Sequence, residues 1–237
     1  PVRRILGSDI AGMVVAIGRG VSRFAVGDEV YGDILERKGG FAEYAVAPES
    51  ALARKPAQLS FAQAAAIPQP GEIAVEAMTK ARPGSRLLVN GAGGGSGAFL
   101  LQLAKAAGMH VTGVDNAGKL DFMRLMGADE TIDYREQDFV EEVKRFTDGE
   151  GVDVVLDMVS GDYVARNMEC LAEDGRHVTI AVLGGLKAEI NMATVMRKRL
   201  SLTGSTLRPR SDEFKALIAD EIYHHAWPLF EERAVAP

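Results

Sequence analysis

A glycine-rich turn between two apolar segments is the part of this sequence best suited to do chemistry. The apolar, β-prone residues 87–89 lead into residues 91–97 (GAGGGSG), and apolar residues then recur at helical spacing up to Gly108. A second apolar strand, residues 111–114, ends in Asp115. Strand, glycine turn, helix, strand and acid in this order form the context that a dinucleotide-binding fingerprint requires.

The turn could hold the diphosphate of a nucleotide cofactor. The usual G-x-G-x-x-G reads here as Ala92, Gly94 and Gly97. Gly94 would let the backbone approach a pyrophosphate, Gly97 would let the helix pack closely, and the helix N-terminus would direct N–H groups at the phosphates. Gly95 and Ser96 complete this cofactor-binding set, and a phosphate contact suits Ser96 better than a nucleophilic role because no Gly-x-Ser-x-Gly elbow is present. The alternative is a flexible loop.

The composition narrows the class of protein. The chain has 237 residues, of which 47% are hydrophobic and 25% charged, and its net charge is −6. Without a block of basic residues, this charge disfavours nucleic acid and anionic membranes as partners. The single cysteine, Cys170, excludes an internal disulfide and lies among apolar residues, which indicates a buried structural thiol. No apolar run approaches the ~18 residues of a transmembrane helix, so we expect a cytoplasmic protein with no membrane partner.

Beyond Asp115, apolar strands and amphipathic helices alternate. Predicted helices cover residues 116–126, 136–146, 161–171 and 191–199, predicted strands cover 131–133, 152–159, 176–182 and 200–207, and a last helix begins at Ser211 or Asp212 and ends near 231. This alternation predicts a parallel, doubly wound sheet with right-handed crossovers. Because ligands of such sheets lie at the carboxyl ends of the strands, residues 91–97, 115–119, 158–159 and 180–183 should surround one crevice.

The first part of the chain is β-rich. Glycine-punctuated, alternating segments predict strands in residues 10–18, 26–32 and 39–46, as in a small sheet or partial barrel. Ser60 and Gln63 predict a capping box, Pro68 and Pro70 should interrupt that helix, and a short helix should resume over residues 74–80. We place a domain boundary in this helical connection, with domains over residues 1–72 and 73–232.

Five short motifs occur in an order that resembles a known family. They are residues 7–12 (GSDIAG), 26–30 (VGDEV), 40–44 (GFAEY), the glycine turn, and 125–129 (LMGAD). Together they resemble the medium-chain dehydrogenase/reductase superfamily, and most closely its zinc-independent quinone oxidoreductases, the zeta-crystallin-like group. The resemblance implies an α/β fold with a Rossmann-type doubly wound parallel sheet and a partial GroES-like β-rich catalytic domain.

The resemblance also implies an activity and an assembly. It implies an NAD(P)H-dependent reductase that transfers a hydride to a small-molecule quinone or conjugated carbonyl. A homodimer is implied as well, in which the strand at residues 200–207 pairs across a two-fold axis. Relatives contain more residues before Pro1 and after Pro237, so residues 1–72 would lack the start of the catalytic domain and residues 233–237 would begin the return to it.

The sequence does not favour a metal site. Zinc-bearing branches of the superfamily have His and Glu where this chain has Ser8 and Asp9, and they use four cysteines at a structural site. The histidines are scattered or adjacent rather than clustered, at His110, His177, His224 and His225. We therefore expect hydride transfer without zinc, in which the cofactor supplies the hydride and the protein supplies position. No catalytic residue is assigned.

The residues near the second strand disagree on the nicotinamide cofactor. Asp115 could bond a ribose 2′-hydroxyl, which favours NAD(H), or it could cap the next helix through the turn at Asn116. In the resembling family the positions of Lys119 and Tyr134 contact a 2′-phosphate, which favours NADP(H). We expect NADP(H) to be preferred, with NAD(H) possible.

The family positions around the nicotinamide are apolar in this chain. They fall on Met158, Val159, Ile180, Ala181 and Leu183, and Ile73 replaces a common threonine. These residues could set the substrate preference, or they could be core residues at strand ends. Three functions stay open: a quinone reductase, an enoyl or alkenal reductase, and a nucleotide-binding protein without catalysis.

Overall fold

The computed structural model describes residues 5–35 and 37–206. These residues divide into two compact units, one within residues 1–72 and one from Ile73 to Thr206. The predicted final helix and the predicted return at residues 233–237 lie outside the described residues, so both stay predictions. None of the helices described is long and apolar enough to cross a membrane.

The first unit is built on a small antiparallel sheet. Its strands, in the order β1-β2-β3, are β1 (Asp9–Met13), β2 (Glu29–Asp33) and β3 (Leu52–Arg54). The strand predicted at residues 39–46 was wrong, because this segment forms no strand: among the described residues its backbone N–H bonds are those of Gly40 and Phe41 to the carbonyls of Gly7 and Leu6, and Tyr44 is exposed. An alternating pattern forms a strand only where a neighbouring strand supplies the pairing.

Two helices follow the small sheet. Helix α1 (Phe61–Ala65) begins at Ser60, whose hydroxyl accepts from the N–H of Gln63 while the Gln63 side chain accepts from the N–H of Ser60, so the predicted capping box is confirmed. Helix α1 ends before Pro68, as expected, but helix α2 (Pro68–Met78) begins at Pro68 rather than at residue 74 and so contains both prolines. Proline is tolerated in the first turn of a helix because the N–H groups there have no intrahelical acceptor.

The second unit contains a six-stranded parallel sheet in the order β6-β5-β4-β7-β8-β9. The strands are β4 (Arg86–Asn90), β5 (His110–Asp115), β6 (Glu130–Asp133), β7 (Val152–Asp157), β8 (Leu171–Thr179) and β9 (Ser201–Gly204). The helices are α3 (Gly95–Ala106), α4 (Leu120–Leu125), α5 (Phe139–Phe146), α6 (Tyr163–Cys170) and α7 (Met192–Lys198). The predicted Rossmann-type doubly wound sheet is therefore confirmed.

The strand order reverses at β4. From β4 the chain proceeds outward through β5 and β6, and it then returns to β7 on the other side of β4. Ligands of open α/β sheets bind at such a switch point, outside the carboxyl ends of the strands. Two strands end earlier than predicted. Strand β7 ends at Asp157 rather than at residue 159, and β8 ends at Thr179 rather than at residue 182, so the residues that follow them lie in loops.

The core of the second unit lies on both faces of the central strands. Leu87, Leu88 and Val89 of β4 are fully buried, as is expected of a strand covered on both sides. Cys170 is buried at the end of α6, as the sequence indicated, and burial raises the pKa of its thiol to about 12.

Candidate cofactor site

The glycine turn crosses the end of β5 and leads directly into α3. The N–H groups of Gly91 and Ala92 both donate to the carbonyl of Val114, at 2.9 and 3.2 Å. Gly94 is the N-cap of α3 and provides no side-chain cap. The N–H groups in the first turn of a helix have no intrahelical acceptor, so this N-terminus presents donors and positive dipole charge at the switch point.

Two glycines of the turn leave no room for a side chain, Gly97 because of nearby backbone and Gly93 because of nearby side chains. A Cβ on Gly97 would lie 2.5 Å from the carbonyl oxygen of Ala92 and 2.6 Å from its Cα, so any side chain there would push α3 off the turn. A Cβ on Gly93 would lie 2.7 Å from the Cβ of Lys119 and 2.8 Å from Oδ2 of Asp115. Gly93 was not among the predicted cofactor-binding residues, although its place within the run of glycines indicated it.

Asp115 anchors the turn to the end of β5. Its Oδ2 accepts from the N–H of Gly93 at 2.9 Å, and its Oδ1 accepts from the N–H and the side-chain amide of Asn116, each at 2.8 Å. The Asn116 side chain accepts in turn from the N–H of Gly118. Asn116 thereby caps a short 3₁₀ turn (Ala117–Lys119) that precedes α4. Of the two expectations for Asp115, this geometry matches the local bond to Asn116; a ribose contact stays a prediction.

Cationic and phenolic side chains surround the same strand end. Lys119 closes the 3₁₀ turn, is exposed, and packs its stem against Gly93. Tyr134 follows β6, and its N–H donates to the carbonyl of Asp115 at 3.1 Å. Arg135, which the sequence analysis missed, donates its Nε–H to the Tyr134 hydroxyl at 3.4 Å. Lys119 and Tyr134 thus both lie beside Asp115, as a shared site requires.

The apolar residues predicted for the nicotinamide lie in two loops at the other side of β4. Met158 and Val159 directly follow β7, and Ile180 and Ala181 directly follow β8. The loops pair with each other, since the N–H of Leu183 donates to the carbonyl of Met158 at 3.3 Å.

The glycine turn lies against the first of these loops. A Cβ on Gly91 would stand 3.5 Å from the Cβ of Met158. The structure therefore brings the turn and the two loops together at the carboxyl ends of the central strands. Leu183 is 84% exposed, so core packing does not explain its apolar side chain.

A buried carboxylate that the sequence analysis missed lies beneath these loops. Asp157, the last residue of β7, is fully buried, and its Oδ1 accepts from the N–H groups of Val159 and Ser160 at 2.8 and 3.0 Å. Burial alone would raise the pKa of Asp157, but hydrogen bonds from His177, Ser160 and Val159 together lower it below its ordinary value. In the sequence, the feature that could have identified Asp157 is its position as an acid at the end of a predicted apolar strand.

The residues at the positions that carry zinc ligands in other branches, Ser8 and Asp9, both contact Gln69. In the first unit, Asp9 accepts from the N–H of Gln69 at 2.9 Å, and Ser8 bonds the side chain of Gln69. Both contacts tie β1 to the first turn of α2. Within the described part of the chain, no group of three His, Cys, Asp or Glu residues is placed to hold a metal ion.

Comparisons with known proteins agree with this fold. The alcohol dehydrogenase GroES-like domain family matches residues 1–57, and the zinc-binding dehydrogenase family matches residues 95–221. The chain belongs to the zinc-binding dehydrogenase family, within the medium-chain dehydrogenase/reductase superfamily. The resemblance found in the sequence is thereby confirmed.

The relatives include quinone oxidoreductases. The chain is 32% identical to the human quinone oxidoreductase over 207 residues, which are 85% of this chain and 61% of that protein. It is 39% identical to a tomato (Solanum lycopersicum) 2-methylene-furan-3-one reductase over 170 residues, 67% of this chain and 42% of that protein. The Escherichia coli quinone oxidoreductase complexed with NADPH superimposes with a TM-score of 0.84 at 28% identity, covering 99% of this chain and 72% of that one. The chain thus spans about 61% of the length of the human relative.

Proposed function

We propose that this chain binds NADPH at the glycine turn and transfers a hydride from it to a quinone or a similar conjugated carbonyl, without a metal. The observation that carries the proposal is the uncapped N-terminus of α3 at the switch point of the sheet, where the preceding glycine turn is bonded to Asp115 and lies against Lys119. The similarity to quinone oxidoreductases, one of them complexed with NADPH, supports it.

The residues present fit a nucleotide diphosphate. The first turn of α3 would donate the N–H groups of Gly95, Ser96 and Gly97 to the phosphates. Among the residues that the structure describes, a Cβ on Gly94 would meet the carbonyl oxygen of Gly91 alone, at 3.5 Å, so these residues leave room for a ligand beside Gly94. The Ser96 hydroxyl adds one more donor at the same place.

The strand end next to the turn fits a 2′-phosphate. Lys119 would supply its charge and Tyr134 its hydroxyl, with Arg135 beside the phenol. Asp115 already accepts three hydrogen bonds from the chain, which compensate part of its negative charge and reduce its repulsion of a phosphate. This arrangement favours NADPH, and NADH is the alternative cofactor.

The chain would position the reactants rather than supply reactive groups. When bound, the nicotinamide supplies the hydride. Met158, Val159, Ile180 and Ala181 would form an apolar surface at the strand ends that excludes water from it. A quinone needs little acid catalysis because its oxygens become stabilised phenolates, which suits a site with no assigned general acid.

A second candidate is the reduction of an activated carbon–carbon double bond. The observation in its favour is the 39% identity to a 2-methylene-furan-3-one reductase. Both candidates would use the same cofactor and the same loops. Parallel assays with a quinone and with a conjugated enone or alkenal separate the two by their relative turnover.

We also propose a homodimer that is located in the cytoplasm. Strand β9 is at the edge of the six-stranded sheet, and all four of its residues are exposed. Such an edge presents unpaired N–H and C=O groups to another strand. Pairing of two copies of β9 across a two-fold axis would satisfy them, and analytical ultracentrifugation would detect the dimer.

The test of the proposed function is cofactor binding followed by turnover. We expect NADPH to bind more tightly than NADH and to be oxidised when a simple quinone is added. The variant Lys119→Ala should weaken NADPH about tenfold, which corresponds to about 1.4 kcal/mol, and should leave NADH nearly unchanged. Lys144→Ala is the matched control, because Lys144 is an exposed lysine of α5 paired with Glu141.

Three outcomes would correct the proposal. Equal loss of NADPH and NADH affinity in Lys119→Ala would remove the 2′-phosphate assignment. Tight cofactor binding without turnover of either acceptor would instead indicate a nucleotide-binding protein that lacks catalysis. Absence of binding to both cofactors would overturn the proposal as a whole.

A further inference from the structure

A buried polar network lies beneath the two loops that follow β7 and β8. Its members are Asn90, Asp157, Asn167 and His177, which are at most 1% exposed. Polar groups in an apolar core are unfavourable unless they are hydrogen-bonded. Two of them, Asn90 and Asp157, end the central strands β4 and β7, while Asn167 lies on α6 and His177 in β8, so the cluster needs a structural or functional reason.

Asp157 is the centre of the network. Its Oδ2 accepts from the side-chain amide of Asn167 at 3.0 Å and from Nε2 of His177 at 3.1 Å. An ionised carboxylate only accepts hydrogen bonds, so the bond to Asp157 requires that Nε2 of His177 carry the ring hydrogen and act as the donor; the Asn167 amide nitrogen lies 3.2 Å from the same Nε2. Asn167 in turn accepts from the amide of Asn90 at 2.7 Å, which links β7 to the end of β4 through α6.

The other atoms of Asp157 hold both loops. Its Oδ1 binds the N–H groups of Val159 and Ser160, and its backbone carbonyl accepts from the N–H of Ile180 at 2.8 Å. One residue therefore fixes the loop after β7 and the start of the loop after β8.

The loop after β7 needs this support because of its backbone conformation. Ser160 has φ of +62°, in the left-handed region that residues with a side chain seldom adopt. The next residue, Gly161, has φ of +59°, and a Cβ there would lie 2.8 Å from the carbonyl oxygen of Gly184. Such a conformation persists only where surrounding contacts impose it, and the bond from Asp157 to Ser160 is one of these contacts.

The adenosine half of the proposed cofactor site has a different anchor. The glycine turn is held by Asp115 through Gly93, at the end of β5. Strands β5 and β7 are the two neighbours of β4. One aspartate thus anchors the turn on one side of β4, and another anchors the apolar loops on the other side.

We propose that Asp157 is a positioning residue for the nicotinamide half of the cofactor, acting through the backbone of Val159, Ser160 and Ile180, while His177 and Asn167 hold its carboxylate in place. The proposal rests on the proposed function, because it requires a nicotinamide cofactor at the strand ends. The proposal assigns different residues to the two halves of that cofactor: Asp157 acts on the nicotinamide half, whereas the adenosine half would contact the glycine turn and Lys119.

The experiment compares two ligands by calorimetric titration. NADPH contains both halves, whereas adenosine 2′,5′-bisphosphate ends before the nicotinamide. In Asp157→Asn and His177→Leu, NADPH should bind about tenfold more weakly, a change of about 1.4 kcal/mol. Adenosine 2′,5′-bisphosphate should bind within about twofold of wild type, as is typical of sites with no shared contact.

Two further variants distinguish positioning from general loss of structure. His177→Gln keeps an N–H donor near the place of Nε2 and should restore most of the NADPH affinity that His177→Leu loses. Asp153→Asn is the matched control at the opposite end of β7, where Asp153 accepts from the N–H of Arg86 at 2.7 Å. It should change neither affinity. If Asp157→Asn does not fold, the two His177 variants carry the test.

Each other outcome overturns the proposal in a distinguishable way. Equal weakening of both ligands would show that the network only stabilises the fold. Unchanged NADPH affinity in folded variants would show that the loops need no support from Asp157. Failure of the wild-type chain to bind either ligand would overturn the proposed function, and the positioning role with it.

Discussion

Two aspartates, one in each unit, respond to burial in opposite ways. Asp9 is half-buried at the start of β1, and loss of water raises its pKa from 3.8 to about 6. Asp157 is fully buried at the end of β7, yet its pKa is lowered. The more deeply buried carboxyl is therefore the more acidic one.

The number of hydrogen-bond donors explains the difference. Asp157 accepts from four groups, two of them backbone N–H groups. Asp9 accepts from the N–H of Gln69, and the pairing of β1 with β2 places Asp33 opposite it, which raises its pKa further. Burial disfavours the charged form, whereas donors that point at a carboxylate favour it. The number of hydrogen-bond donors, rather than the extent of burial, therefore determines which of the two carboxyls has the lower pKa.

The two groups should therefore give opposite dependences of stability on pH. The folded-state pKa of Asp157 is depressed, so its contribution to stability is present above the unfolded value and is lost as the pH falls through the folded value. The folded-state pKa of Asp9 is raised, so its contribution is present below pH 3.8 and is lost as the pH rises through about 6.

The largest expected effect is that of Asp157→Ala on stability. Removal of the carboxylate leaves His177, Asn167 and two N–H groups buried without their acceptor. We expect the free energy of unfolding, measured in urea at pH 7, to fall by about 3–5 kcal/mol. Asp153→Ala removes a single acceptor at the other end of the strand and should cost about 1 kcal/mol.

A small loss in Asp157→Ala would contradict the comparison. It would mean that the donors around this carboxyl find other acceptors when it is removed, so that they do not account for its low pKa. We would draw this conclusion if Asp157→Ala lost no more unfolding free energy than Asp153→Ala.

Much of the fold was predictable because its signals are local. Strands β4 and β7 are short continuous apolar runs, as is typical of strands covered on both faces. The glycine turn was recognisable because close backbone approach at Gly97 admits no side chain. The capping box at Ser60 depends on residues three apart. In each case the residues that create the structure are neighbours in sequence.

The failed strand prediction at residues 39–46 and the missed network of Asp157 both depend on distant residues. The pattern at residues 39–46 resembles a strand, but a partner strand is needed to form one, and periodicity does not show whether a partner exists. The network of Asp157 joins β7, α6 and β8, and its bond to His177 spans 20 residues. Only the folded sheet brings these side chains together, so the candidate site was predicted by its glycine turn and not by its buried support.

A smaller effect is expected of Asp9→Asn, and its sign is opposite. At pH 8 the wild-type carboxyl is ionised in an environment that disfavours charge, whereas the amide can still accept from Gln69. We expect the free energy of unfolding to rise by about 1 kcal/mol at pH 8, because solvent screens part of the penalty of a half-exposed group. At pH 4 the gain should nearly vanish, and an equal gain at both pH values would indicate altered packing rather than charge.

The smallest effect, and the sharpest test of the comparison, is that of Asp33→Asn on the pKa of Asp9. Burial is the main cause of the raised pKa and the charge of Asp33 a lesser one, so the pKa should fall only part of the way from about 6 to 3.8. Titration of the side-chain carboxyl carbon by NMR measures it directly. Asp28→Asn is the control, since Asp28 pairs with Arg54 at 2.8 Å and should leave Asp9 unchanged. A complete return to 3.8 would show that repulsion across the two strands, rather than burial without sufficient donors, raises the pKa of Asp9. The contrast with Asp157 would then be one of neighbouring charges, because Asp9 faces an acid where Asp157 faces His177.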